Sequence, residues 1–225
     1  DVSAPTVLGV TSSKSDATYG IGTVVPILVE FNEVVNVVGT PTLELETGTT
    51  DATVSYTSGS GTDTLTFNYT VANTHVAADL DYKATTSLAL PSGATIRDSL
   101  GTSATLTLVT PNATKSISDN QAIVIDGVIP TVSSYAVTAG TKSITLNMTE
   151  AVTGSPLVGD FTVSVNTVAK TVTAVGVGAA KAADNTATTI LLTMGEAIPN
   201  DATVTVAYTQ NASNLITGVS GGNSV

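Results

Sequence analysis

Three short patterns occur twice in this chain, in the same order and at nearly the same spacing. Ala4-Pro5-Thr6-Val7 returns as Ile129-Pro130-Thr131-Val132, Phe31-Asn32-Glu33-Val34-Val35 as Met148-Thr149-Glu150-Ala151-Val152, and Ile96-Arg97-Asp98 with Gly101 as Ile216-Thr217-Gly218 with Gly221. The matched positions lie 125, 117 and 120 residues apart, so one unit of about 120 residues is written twice. That period suits a single β-sandwich. A solenoid of stacked coils, which Thr-, Gly- and Val-rich sequence also allows, repeats every 20 residues or so and is excluded. Two domains are expected, residues 1–127 and 128–225.

Each is long enough to bury a core. Hydrophobic residues make up 42% of the 225 positions and charged residues only 11%, which excludes a disordered chain despite the abundant Thr, Ser and Gly. No apolar run approaches the roughly 18 residues of a membrane-spanning helix, and Asp1 opens directly on a strand-like segment, so neither a membrane span nor a signal peptide is expected in this sequence. Seven Lys and Arg stand against 18 Asp and Glu, a net charge of −11. Such a surface repels phosphate backbones and attracts cations, so nucleic acid is not an expected partner. Without Cys there are no disulfides, thiolate nucleophiles or Cys-ligated zinc, and any staple must be burial or a bound cation.

Period-two alternation of β-branched and polar residues predicts strands in the first unit over 6–10, 23–31, 42–46, 52–57, 62–71, 80–90, and 104–109 continuing through 122–125. In the second unit the same pattern predicts 131–137, 143–148, 161–165, 170–176, 188–194 and 203–208. Gly39-Thr40-Pro41, Thr47-Gly48, Ser58-Gly59-Ser60-Gly61 and Pro91-Ser92-Gly93 mark turns. Only 76–78 and 178–183 resemble helix, and both are too short to hold one. The expected class is all-β, two tandem immunoglobulin-like Greek-key sandwiches.

Few residues offer catalysis. His75 is alone in a loop, with no orienting partner for a triad, and reads as a solvated histidine. Glu44 and Glu46, or Asp79 and Asp81, have the i, i+2 spacing that puts two carboxylates on one strand face, but a glycosidase also needs an aromatic-lined cleft, and aromatics are 4% with no Trp. They read as solubilising charges. Cation binding is the stronger expectation: in a seven-strand sandwich the loop bearing Glu33, the loop bearing Asp98 and the chain start at Asp1 fall at one pole, and three carboxylates suit Ca²⁺. Asp126 and Glu150 offer the second unit the same chemistry, while Asp16, Asp51, Asp79 and Asp81 gather at the first unit's other pole. Four N-x-[ST] sequons, at Asn68, Asn112, Asn147 and Asn211, are candidate glycosylation sites.

Ala4-Pro5-Thr6-Val7, Val29-Glu30-Phe31-Asn32-Glu33-Val34-Val35, Thr64-Leu65-Thr66-Phe67-Asn68-Tyr69, Ala78-Asp79-Leu80-Asp81-Tyr82, Ile96-Arg97-Asp98-Ser99-Leu100-Gly101 and Ala122-Ile123-Val124-Ile125-Asp126 resemble the bacterial immunoglobulin-like repeats of very long surface adhesins and surface-layer-type proteins. Asp160-Phe161-Thr162-Val163, Thr203-Val204-Thr205-Val206-Ala207-Tyr208 and Asn214-Leu215-Ile216 resemble a related long-protein repeat of cyanobacterial and other bacterial cell-surface proteins. The resemblance implies an extracellular repeat, often calcium-stabilised, that extends or tiles a surface. Two departures stand out: Thr102 occupies the family's Asn position, and Gly218 replaces Asp in the second unit.

Nothing in the second unit answers to residues 104–126 of the first. After the 216–223 loop only Ser224 and Val225 remain, so a final strand is expected either from a continuation of the chain or from a neighbouring molecule. The functional expectation is an extracellular structural or adhesive repeat without enzymatic activity, its partners further repeats or copies of the same protein, or surface glycans. The alternatives are a carbohydrate-binding or accessory module of a secreted enzyme, which the absent Trp disfavours, and a subunit of an extracellular filament.

Overall fold

Wherever apolar and polar residues alternate the chain is extended, and the molecule is all-β. The computed structural model describes residues 3–177, 187–209, 215–219 and 221–223. It divides into two compact units, Asp1–Val128 and Ile129–Val225, each with its own core.

The first unit contains β1 (Val7–Ser12), β2 (Ala17–Gly20), β3 (Val24–Val38), β4 (Thr42–Glu46), β5 (Ala52–Ser58), β6 (Thr62–Thr70), β7 (Val76–Ala77), β8 (Asp81–Tyr82), β9 (Leu88–Ala89), β10 (Thr95–Arg97), the one-turn helix α1 (Ile117–Asn120) and β11 (Ile123–Asp126). One sheet runs β1-β3-β6-β5-β4-β8, with β10 also on β3 and β9 on β4, and a smaller one runs β2-β11-β7. Every second residue of β3 from Val25 to Phe31 points inward, against Leu43, Leu65 and Phe67 of the same sheet and Ile123 and Ile125 of β11. Side chains of both sheets therefore share one core.

Strand β3 is unusually long because it serves two partners. It follows β6 as far as Glu30 opposite Thr64, loses register, resumes at Val35 opposite Thr62, and then pairs Asn36, Val37 and Val38 with β10. The break re-aims the side chains between its two halves.

In the second unit β12 (Val132–Val137), β13 (Ser143–Gly154), β17 (Ala187–Met194) and β16 (Val172–Val177) form a sheet in the order β12-β13-β17-β16, with β19 (Ile216–Gly218) also on β13. A second sheet runs β15-β14-β18, from β15 (Val168–Lys170), β14 (Phe161–Val165) and β18 (Val204–Tyr208). Ile144, Leu146, Ile190 and Leu192 from the first sheet meet Phe161, Val163 and Val204 from the second.

The sequence repeat is a repeat of register. In the first unit Val7 faces Phe31 and a bulge then sets Gly9 opposite Glu30; in the second Val132 faces Met148 and a bulge sets Ser134 opposite Asn147. Asn32 N–H donates to the Thr6 carbonyl at 3.0 Å and Thr149 N–H to the Thr131 carbonyl at 2.8 Å. The Asn32 side chain accepts from Thr6 N–H at 2.7 Å, as the Thr149 hydroxyl does from Thr131 N–H at 2.9 Å.

Several elements differ from the sequence pattern. The strand expected over 80–90 is broken into β8 and β9, because Ser87 closes a turn between them: its hydroxyl accepts from Ala84 N–H and its own N–H donates to the Ala84 carbonyl. Residues 104–109 form no continuous ladder. Isolated bridges, Thr6 to Thr105 and Arg97 to Ser103, hold them while Leu106 and Leu108 pack on the core. Residues 76–78, which resemble helix in sequence, include the short strand β7, which pairs with β11; residues 178–183 lie outside the described residues. Among the described residues, β18 pairs on one side only, with β14; Ser224 and Val225 lie outside them.

Candidate functional site

Glu33 and Glu150 occupy corresponding breaks of register, the first between Glu30 and Val35 of β3 and the second between Asn147 and Val152 of β13. Where a strand leaves its partner, side chains turn from the regular alternation, and both residues sink a carboxylate oxygen, Oε1, out of solvent. Glu33 Oε1 accepts no hydrogen bond from the protein. A polar atom so held is costly unless something donates to it or coordinates it.

Asp98 follows β10, which brings it to the same β3–β10 ladder, one residue beyond the Arg97 to Asn36 pair. It is buried, and its Oδ1 accepts from Leu100 N–H at 2.9 Å and Thr102 N–H at 2.7 Å. Burial acts to raise its pKa, but the donors from Thr102, Leu100 and Gly101 outweigh it and hold the carboxyl below the usual range. Asp98 is thus the staple of its own loop. In the second unit Gly218 stands in its place, and its N–H donates to the Asn223 carbonyl at 2.7 Å. Asp1, the third expected ligand at this pole, lies outside the described residues.

The Asp79 and Asp81 pair does not behave as one polar strand face, because the strand begins only at Asp81. Asp79 is exposed and Asp81 is buried. The Asp81 carboxylate gathers four donors: Oδ1 accepts from Tyr82 N–H at 2.9 Å and Ile117 N–H at 3.4 Å, Oδ2 from Asn112 N–H at 2.9 Å and the Ser118 hydroxyl at 2.8 Å. It is a structural hub, not a surface charge. Desolvation, together with the charges of Asp81 and Asp16, holds Asp79 above the usual carboxylate range, partly offset by the Ile123 N–H. Asp16 accepts from Ala122 N–H at 3.0 Å. Asp126 closes a turn by accepting from Val128 N–H at 3.1 Å. Among the described residues no three of His, Asp and Glu come close enough to hold a metal ion.

Some of the other acids pair with lysines at the surface. Lys83 is hydrogen-bonded to Asp51 and 3.8 Å from Glu44; the Lys83 hydrogen bond is the main cause that lowers the Asp51 pKa. His75, read from sequence as solvated, is instead half-buried: its ring stacks on Tyr69, and Nδ1 lies 3.0 Å from the Tyr69 hydroxyl. Burial raises the Tyr69 pKa, and the two rings form a packed contact. Of the sequons, Asn68 and Asn112 are exposed, Asn147 is half-buried with its amide donating to the Ser134 hydroxyl at 2.9 Å, and Asn211 lies outside the described residues.

Sequence reasoning misses Asp81's true role and Ser116, which caps α1 beneath it by accepting from Asp119 N–H. The i, i+2 spacing carried no sign that one carboxylate turns inward; the polar Asn112 and Ser118 that serve it were visible only as loop residues.

A family described as "Putative flagellar system-associated repeat" matches residues 153–213, from the end of β13 through β18 of the second unit. No curated protein matches the chain. Among the described residues no helix is long and apolar enough to cross a membrane.

Proposed function

We propose that this chain is a non-enzymatic structural segment of an extracellular surface or appendage protein, adhesive or surface-layer in kind, that works by repeating one immunoglobulin-like sandwich and is steadied by calcium. The observation that carries the reading is the repetition of register: the same bulge, the same Thr to strand bonds and the same inward-turned glutamate recur in both units. A design copied at that resolution serves reach and surface more than chemistry. The sheet order β1-β3-β6-β5 with a parallel β2–β11 pair supports the immunoglobulin-like part. The description of the matched repeat family supports the appendage context. The engagement of His75 and of the buried acids in packing supports the absence of catalysis, and the net charge of −11 disfavours nucleic acid.

Calcium enters through Glu33, whose buried oxygen is an acceptor without a donor. A ligand bound only by the folded state stabilises it by mass action, so chelation of bound calcium lowers the melting temperature of the full chain, calcium restores it, and Glu33→Gln removes the difference. An unchanged melting temperature in excess chelator sinks the calcium part. The surface part is tested by antibody labelling of intact cells of the source organism: label on the envelope or its appendages is expected, and label seen only after permeabilisation overturns it.

A further inference from the structure

The two units differ most at one face. Val10 of β1 and Tyr135 of β12 hold the same position, opposite Val29 of β3 and Leu146 of β13 respectively. Val10 is completely buried, whereas Tyr135 is 57% exposed and its neighbour Val132 46%. The cause is visible in the first unit, where residues 104–126 lie over β1 and alongside β8. Thr105 N–H donates to the Pro5 carbonyl at 2.8 Å, Val10 N–H to the Lys115 carbonyl at 2.9 Å, Leu108 N–H to the Thr85 carbonyl at 2.9 Å and Leu80 N–H to the Ile123 carbonyl at 2.8 Å. The same segment drives Leu108, Ile117, Ile123 and Ile125 into the core.

In the second unit, among the described residues, β12 pairs only with β13 and β18 only with β14. Between these two edges runs a groove of about 340 Å³ lined by Val132, Tyr135, Leu146, Val204, Val206 and Tyr208, with Thr205. We propose that this groove is a docking site for a peptide segment of the kind that residues 104–126 supply to the first unit, extended but for the one-turn helix α1 and ending in a strand of alternating β-branched residues such as Ala122-Ile123-Val124-Ile125.

Three observations fix the chemistry of the occupant. Two strand edges with one-sided backbone pairing recruit a further strand by main-chain hydrogen bonds. The apolar lining at two-residue spacing, Val204, Val206 and Tyr208, accepts alternate side chains of an extended chain. The lining also bears no formally charged side chain although the chain's net charge is −11, so it complements an uncharged strand and offers nothing to an acidic or basic peptide.

The test uses the full 225-residue chain and a synthetic peptide of residues 104–126. Saturable binding is expected, weakened about tenfold or more by Tyr135→Asp. Leu100→Asp, on an exposed loop of the first unit, leaves it unchanged. A peptide with Asp at positions 123 and 125 does not bind. Absence of binding overturns the proposal. Binding that Tyr135→Asp leaves intact also overturns it, because the peptide is then exchanging into the first unit. Concentration-dependent dimerisation of the chain that Tyr135→Asp abolishes and the peptide does not compete overturns it too, in favour of a second copy as the occupant.

Discussion

Asp81 shows how one side chain can organise a region that the secondary structure leaves loose. Residues 104–122 have no continuous ladder of their own, yet Asn112, Ile117 and Ser118 are all tied to its carboxylate. Asp81→Ala leaves the buried Ile117 N–H and the part-buried Asn112 and Ser118 hydrogen bonds without their acceptor and is expected to cost about 3 kcal/mol or more in urea denaturation; a loss under about 1 kcal/mol contradicts the hub assignment. Its neighbour Asp79 acts with the opposite sign. A carboxyl whose folded pKa lies above its ordinary 3.8 contributes stability below that pH and loses it as pH rises through the folded value. Asp79→Asn should therefore raise the melting temperature at pH 7 and change it little at pH 3. A shift of equal size at both pH values excludes a titration effect. In the sequence the two residues look alike; what separates them is where the strand begins, and that is decided by pairing with β4, 35 or more residues away.

At the scale of elements, the strands that alternate cleanly, the first half of β3, β4 to β6, β14 and β17, follow the pattern in the sequence closely, since burying one face of each fixes its register. Elements with mostly exposed or distant partners do not. Strand β2 is short and exposed but for Tyr19 and Gly20, and its partner β11 lies about a hundred residues further on. The last seven residues of β3, 32–38, and all of β10 likewise read as loops in the sequence. The Ser58-Gly59-Ser60-Gly61 turn was legible as a turn, but not the difference between its glycines. Gly59 has φ +112 and an added Cβ would stand 2.1 Å from the Thr64 carbonyl oxygen, whereas Gly61 at φ +83 faces open space. Gly61→Ala is expected to cost about 1 kcal/mol from backbone strain alone, and Gly59→Ala clearly more, since the hairpin backbone must move. Equal losses in urea titrations refute the steric account.

For the whole molecule, the repeat made the division into two units legible from the first pattern match, but not how unequal the units are. The core of the first holds Phe31, Phe67, Tyr69 and Tyr82, none more than 2% exposed, whereas the second has only Phe161 as a buried aromatic among its described residues. Larger buried side chains carry more stabilisation. Calorimetry should therefore resolve two transitions, with Leu192→Ala lowering the first and Leu43→Ala the second; one transition moved by both substitutions excludes separate cores. The parallel pair of β2 and β11 adds a mechanical consequence. Tension applied at the two ends of the first unit reaches β2 from its N-terminal side, once β1 yields, and β11 from its C-terminal side, so the pairs Ala17–Ile123, Thr18–Val124, Tyr19–Ile125 and Gly20–Asp126 are loaded along the strands and must rupture together instead of peeling one by one. No such parallel pair occurs among the described residues of the second unit. Single-molecule stretching should therefore find the second unit yielding at low force and the first acting as the latch that holds.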